Sequence, residues 1–233
     1  MIAFLNSDQV IFAVISIICF IPSIVVHEVS HAFAALKMGD TTAKDSKRLT
    51  LNPMAHVDPF GTVVLPLLLA ICGLPVFGYA KPVPYNPNRF RNFKVGEVVT
   101  GLAGPASNIL MALAAAIVAL VVSQFDWVAS PVSYWLMSGL YLFIFVNFAL
   151  AFFNLLPIPP LDGSSVILPL LPRRAYPAWY KIQHYAMPVL LVLVIGVPYI
   201  TAMFGYQPFN PLLAYIRATA GNLTGLFAPW AGG

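Results

Sequence analysis

Four apolar runs, at residues 10–37, 96–122, 134–156 and 185–204, are each long enough to cross a bilayer as a helix, which takes about 20 residues. Within hydrocarbon each segment must satisfy its own backbone, so these runs can fold only as helices. The remainder cannot supply a water-facing shell, because the chain is 60% hydrophobic and 9% charged, with mean hydropathy +0.84. The expected class is an all-α polytopic membrane protein of about five to six membrane segments, with small extended segments in the cytoplasmic loops. One membrane-embedded domain is expected over residues 1–233, with a core at 10–172 and C-terminal helices at 176–228.

A fifth apolar stretch, 61–73, is short and contains Pro66, with Gly73, Pro75 and Gly78 behind it, so it reads as a re-entrant hairpin or a broken span. Basic residues set the orientation. Lys37, Lys44, Lys47 and Arg48 follow the first run, Lys81, Arg89, Arg91 and Lys94 precede the second, and Arg173, Arg174 and Lys181 follow the third. The loop at 123–133 has no Lys or Arg. If basic loops face the cytoplasm, the first run crosses inward, the second outward and the third inward, and 61–73 starts and ends inside. The net charge of +4 is therefore a topology signal, and no nucleic-acid surface is indicated. Residues 1–10 lack the basic start of a signal peptide, so the first run is expected to be retained. Cys19 and Cys72 lie in apolar stretches without C-x-x-C spacing, which points to neither a disulfide framework nor a thiolate metal site.

Inside the first run stands His27-Glu28-Val29-Ser30-His31, an H-E-x-x-H pattern where lipid tolerates few polar groups. With 4 histidines in the chain, chance would produce such a match about 0.0006 times. On a helix, positions i and i+4 share a face, so both imidazoles can reach one Zn²⁺ while Glu28 contacts its water. The alternatives are a structural zinc, or histidines that only hydrogen-bond a neighbouring helix. A catalytic zinc takes a third protein ligand and keeps one position open. Asp162 is the strongest candidate. It follows the third run in Asn154-Leu-Leu-Pro-Ile-Pro-Pro-Leu-Asp162-Gly163, where three prolines interrupt the helix. His27 is ten residues from Lys37, about 15 Å along a helix, and Asp162 is eleven residues from Arg173, so both can lie at similar depth from one side. The competing role for Asp162 is to cap a helix beginning at Gly163.

These residues resemble the site-2 proteases of the M50 type, intramembrane zinc metalloproteases marked by H-E-x-x-H on one helix and N-x-x-P-x-P-x-x-D-G on another. Both patterns are intact, at His27–His31 and Asn154–Gly163, and G-P-x-x-N stands between them at Gly104–Asn108. The resemblance covers roughly residues 24–163, with no PDZ or CBS domain among the 233 residues. It implies one Zn²⁺ per chain held by His27, His31 and Asp162, with Glu28 as general base. The implied substrate is a membrane protein or peptide with a transmembrane helix, and the implied reaction is regulated intramembrane proteolysis. The expected location is a multi-pass protein of a prokaryotic cell membrane, with the site toward the cytoplasmic side; a homo-oligomer is not indicated.

A helix entering such a site must unwind, so polar groups are needed to hold its extended backbone. Asn154 and Asn108 are candidates for substrate binding, the former through the resemblance, with interhelical hydrogen bonding as the alternative for both. His56, in a turn-rich stretch before residue 61, is a weaker substrate-binding candidate against an ordinary loop histidine. Two rival functions are a membrane zinc transporter, which would not need Glu28 as an unligated base, and a catalytically silent scaffold, against which an intact Glu28 argues.

Overall fold

The computed structural model describes residues 6–64, 68, 80–124, 131–207 and 209–228. Among these the regular structure is helical throughout, and three helices are long and apolar enough to cross a membrane: α1 (Ser7–Met38), α3 (Phe93–Val122) and α4 (Pro131–Asn154). A short α2 (Thr42–Asp45) follows α1, and α5 (Ser164–Ile167) follows the loop after α4. The expected run at 185–204 is helical but segmented: α6 (Tyr176–Leu191), a π-helical turn at Val192–Gly196, and α7 (Val197–Met203). It is not one of the three long apolar helices, and α8 (Pro211–Ile216) and α9 (Asn222–Phe227) are the last helices among the described residues. The expected hairpin at 61–73 falls mostly outside the described residues; its first turn, Pro59–Val64, is π-helical. Residues 80–86 form no regular element and no strand.

Capping chemistry fixes both ends of α1. The Asn6 side chain accepts from the Gln9 amide at 2.8 Å, and the Gln9 side chain accepts from the Asn6 amide at 3.0 Å, a reciprocal capping box. At the other end Gly39, at φ 111°, turns left-handed while the Asp40 and Gly39 amides close on the carbonyls of Ala35 and Leu36. The turn puts Asp40 directly beneath the helix end. At the start of α3, Asn92 accepts from the Val95 amide at 3.2 Å.

Helix α3 packs against both α1 and α4, which also touch each other. Its buried face is made of small residues, among them Gly96, Gly101, Gly104, Ala112, Ala115, Ala116 and Ala119, so the neighbouring backbones come close. Ala112, Ala115 and Ala116 form the main core with Ile144 and Phe148 of α4 and Ala220. The outside is the reverse of a soluble protein: Ile18 is 63% exposed and Leu110 67%, whereas Ser23, Asn108 and Asn147 are completely buried. Large apolar side chains facing outward and polar ones facing inward fit a lipid environment.

Candidate metal centre

His27 and His31 come from successive turns of α1 and point the same way. Their Nε2 atoms are 3.1 Å apart, and Asp162 Oδ2 lies 3.1 Å from the first and 3.2 Å from the second. Asp162 arrives from the loop after α4. That loop is closed by the Gly163 amide donating to the Asn154 carbonyl at 2.7 Å and the Leu161 amide to Ile158 at 2.9 Å. The Asp162 side chain does not cap α5, whose first residue follows Gly163 without a side-chain cap. Among the described residues, His27, His31 and Asp162 are the group of possible metal ligands.

The hydrogen bonds behind the histidines determine what these three atoms can do. Asn108 Nδ2 donates to the Ser23 carbonyl at 3.2 Å and to Asn147 Oδ1 at 2.8 Å. A backbone carbonyl can only accept, so the Asn108 amide oxygen must be the atom 2.5 Å from His27 Nδ1. His27 Nδ1 is thereby the donor. His31 Nδ1 likewise faces the Thr100 carbonyl at 2.7 Å. In neutral imidazoles held this way, both Nε2 atoms are left with bare lone pairs.

Two imidazole lone pairs and a carboxylate oxygen therefore converge, and Asp162 Oδ2 is buried with no hydrogen-bond partner. Three acceptors at such range repel one another unless a proton or a metal ion lies between them. Zinc bonds of 2.0–2.1 Å in a tetrahedron set ligand atoms about 3.3 Å apart, close to the separations found. Gly104 of α3 makes room for it. A Cβ on Gly104 would come within 2.3 Å of His31 Nε2 and 2.7 Å of His27 Nε2, so only glycine leaves that space open. Donor set, spacing and space all fit zinc.

Glu28 lies between the two histidines in sequence and is half-buried. Its Oε2 accepts from the Val83 amide at 2.9 Å, within the irregular stretch after residue 80. Glu28, His31, Val83, Tyr85 and Asp162 line one cavity of about 230 Å³. The carboxylate and two of the candidate ligands, His31 and Asp162, thus open onto the same space.

The other expected residues occupy different positions. Asn108 is fully buried behind His27, and its amide is engaged with His27, Ser23 and Asn147, which leaves no face for a substrate. Asn154 sits at the end of α4 with Nδ2 donating to the Leu150 carbonyl at 3.0 Å. His56 is buried, with Nε2 at 2.9 Å from the Thr50 carbonyl, and is not among the residues that line the cavity. Sequence reasoning missed Ser23, Thr100 and Asn147. Ser23 stands one helical turn before His27, and Asn147 stands two turns before Asn154, so helical spacing was a usable signal for both. Thr100 acts through its backbone carbonyl and left no signal.

A candidate metal site of two histidines and an aspartate, with a glutamate beside it, points to the class of zinc metallohydrolases. The model of peptidase family M50 matches residues 124–197. The chain is 36% identical to YwhC of Bacillus subtilis (strain 168) over 180 residues, covering 77% of this chain and 79% of that protein. It is 26% identical over 212 residues to Rip2 of Mycolicibacterium smegmatis, covering 89% of this chain and 78% of the relative. Both relatives are named as zinc metalloproteases. No solved structure matches. The chain belongs to peptidase family M50 and is a membrane zinc metalloprotease.

Proposed function

We propose that this metalloprotease hydrolyses peptide bonds within or beside transmembrane segments of membrane proteins, as a step of regulated intramembrane proteolysis. The observation that carries the proposal is the Glu28 carboxylate beside His27 and His31 in the C-terminal half of an apolar 32-residue helix, lining a cavity with His31 and Asp162. A water-soluble peptide would not require its protease to bury the site in such a helix. The span order from the basic loops puts this cavity nearer the cytoplasmic face of a multi-pass protein.

Zinc, when bound, supplies Lewis acidity that polarises the scissile carbonyl and lowers the pKa of water toward about 7. The protein's residues do the rest. His27, His31 and Asp162 hold the metal, with both rings fixed in orientation by Asn108 and Thr100. Glu28 takes the proton from the attacking water and delivers it to the leaving amine, its Oε2 held by the Val83 amide while Oε1 handles the proton. Asn154, at the end of α4, is the proposed contact for the unwound substrate backbone.

The test is co-expression of a single-span substrate with the wild-type chain and with Glu28→Gln. Cleavage should disappear in the variant while zinc content stays at one per chain. Persistent cleavage by Glu28→Gln sinks the mechanism.

A further inference from the structure

Glu28 is held by a segment that is itself held from elsewhere. Within Lys81-Pro82-Val83-Pro84 the two prolines have no amide hydrogen, and the Val83 amide is given to Glu28 Oε2 at 2.9 Å. The two carbonyls just before it, of Lys81 and Pro82, both accept from Nη2 of Arg48, at 2.6 and 3.3 Å. Arg48 is 8% exposed and is not one of the residues lining the cavity. The Val83 side chain packs with Ala32, one turn past Glu28 on α1, and with Ala43 of α2. Farther along, the Asn86 amide donates to Asp40 Oδ2 at 2.6 Å.

Resting on the reading of Glu28 as the general base, we infer that Arg48 is a positioning residue for hydrolysis, acting through the Lys81–Val83 backbone to fix the Glu28 carboxylate. A guanidinium desolvated against two successive carbonyls fixes the direction of the peptide planes that follow. The Val83 N–H is the group whose direction matters. It ties down one carboxylate oxygen, leaving the other with a single orientation toward the metal-ligand face. Proton transfer needs hydrogen-bond reach, and a displacement of about 1 Å at a catalytic group can cost about 100-fold in rate. The same segment is a poor edge for pairing a substrate strand. Two of its carbonyls face Arg48, its Val83 amide faces Glu28, its Lys81 amide is given to the His56 carbonyl at 2.9 Å, and its prolines have nothing to donate.

The test uses the full chain in lipid nanodiscs with zinc, and compares Arg48→Ala, Arg48→Lys and Glu28→Ala with wild type. Arg48→Ala should lower kcat about 10- to 100-fold with KM within about two-fold and zinc unchanged. Arg48→Lys, which can still donate to a carbonyl, should recover most of kcat. Hydrogen exchange of the Val83 amide should accelerate in both Arg48→Ala and Glu28→Ala. An unchanged kcat in Arg48→Ala overturns the inference, as does a rise in KM alone, which would make the segment a substrate edge. If Arg48→Ala does not fold, Arg48→Lys and the Val83 exchange in Glu28→Ala decide: unaltered protection in Glu28→Ala overturns it. A wild-type chain that cleaves nothing refutes the proteolytic reading instead, and leaves the exchange measurement to judge the Arg48 link.

Discussion

The amide oxygen of Asn108 lies 2.5 Å from Nδ1 of His27, and Asn108 is completely buried. The contact joins the metal helix α1 to α3, and the rest of the Asn108 amide joins both to α4 through Asn147. The orientation of one metal ligand is therefore decided by how three helices pack. Outer hydrogen bonds of this kind typically contribute 10- to 100-fold in metal affinity. Asn108→Ala should weaken zinc binding by about that factor in a competition titration against a chelator. Affinity equal to wild type would show that His27 needs no such partner.

Gly104 makes a sharper test, because its substitution removes no ligand and no hydrogen bond. Gly104→Ala would place a methyl carbon within 2.3 Å of His31 Nε2, in the space between the histidines. Alanine favours a helix over glycine by about 1 kcal/mol, so α3 should keep its helicity. The expected result is a folded protein by circular dichroism that carries far less than one zinc per chain. Full zinc loading in Gly104→Ala would move the metal away from the space described.

Much of this was legible in the sequence, for identifiable reasons. The runs that become α1, α3 and α4 announce themselves because lipid imposes length and apolarity on every residue of a span. His27 and His31 are linked by helical period alone, and the structure brings Asp162 to them from a loop 131 positions beyond His31. The outer contacts were harder. Asn147 becomes a partner only once α1, α3 and α4 are known to pack against one another, and Thr100 contributes a carbonyl that any residue would provide. Val83 shows the same limit, since a backbone amide on Glu28 is invisible in residue types. Asn108 is a candidate in the sequence because an unwound substrate backbone needs polar groups to hold it, yet sequence does not say whether such a residue faces the substrate or a neighbouring helix.

Asn147 links Asn108 to Ser23: its Oδ1 accepts from Asn108, and its Nδ2 donates to Ser23 Oγ and the Phe143 carbonyl, at 2.8 and 2.9 Å. Asn147→Leu would strand a buried amide hydrogen of Asn108 without a partner, a loss of about 1–3 kcal/mol. Thermal unfolding in detergent should shift to lower temperature, and zinc affinity should fall less than in Asn108→Ala, because the His27 contact survives. An effect on zinc equal to that of Asn108→Ala would mean that the two asparagines act as one unit.

Acid should release the Lys81–Asn86 segment from its far anchor. Burial alone would raise the Asp40 carboxyl, but hydrogen bonds from the Thr42 hydroxyl and from the Asn86 and Thr42 amides, with Arg89 nearby, hold it below the usual carboxylate range. A carboxyl whose folded pKa is depressed contributes stability that is fully present above its unfolded pKa of about 3.9 and disappears as pH falls through the lower folded value. Docking of the segment should therefore be insensitive to pH from neutrality down to about 4 and weaken below that. Asp40→Asn, which keeps the shape but not the charge, should loosen docking at pH 7 and flatten this acid dependence. Hydrogen exchange of the Asn86 amide across the acid range measures it. An identical acid profile in Asp40→Asn and wild type would assign the transition to another group.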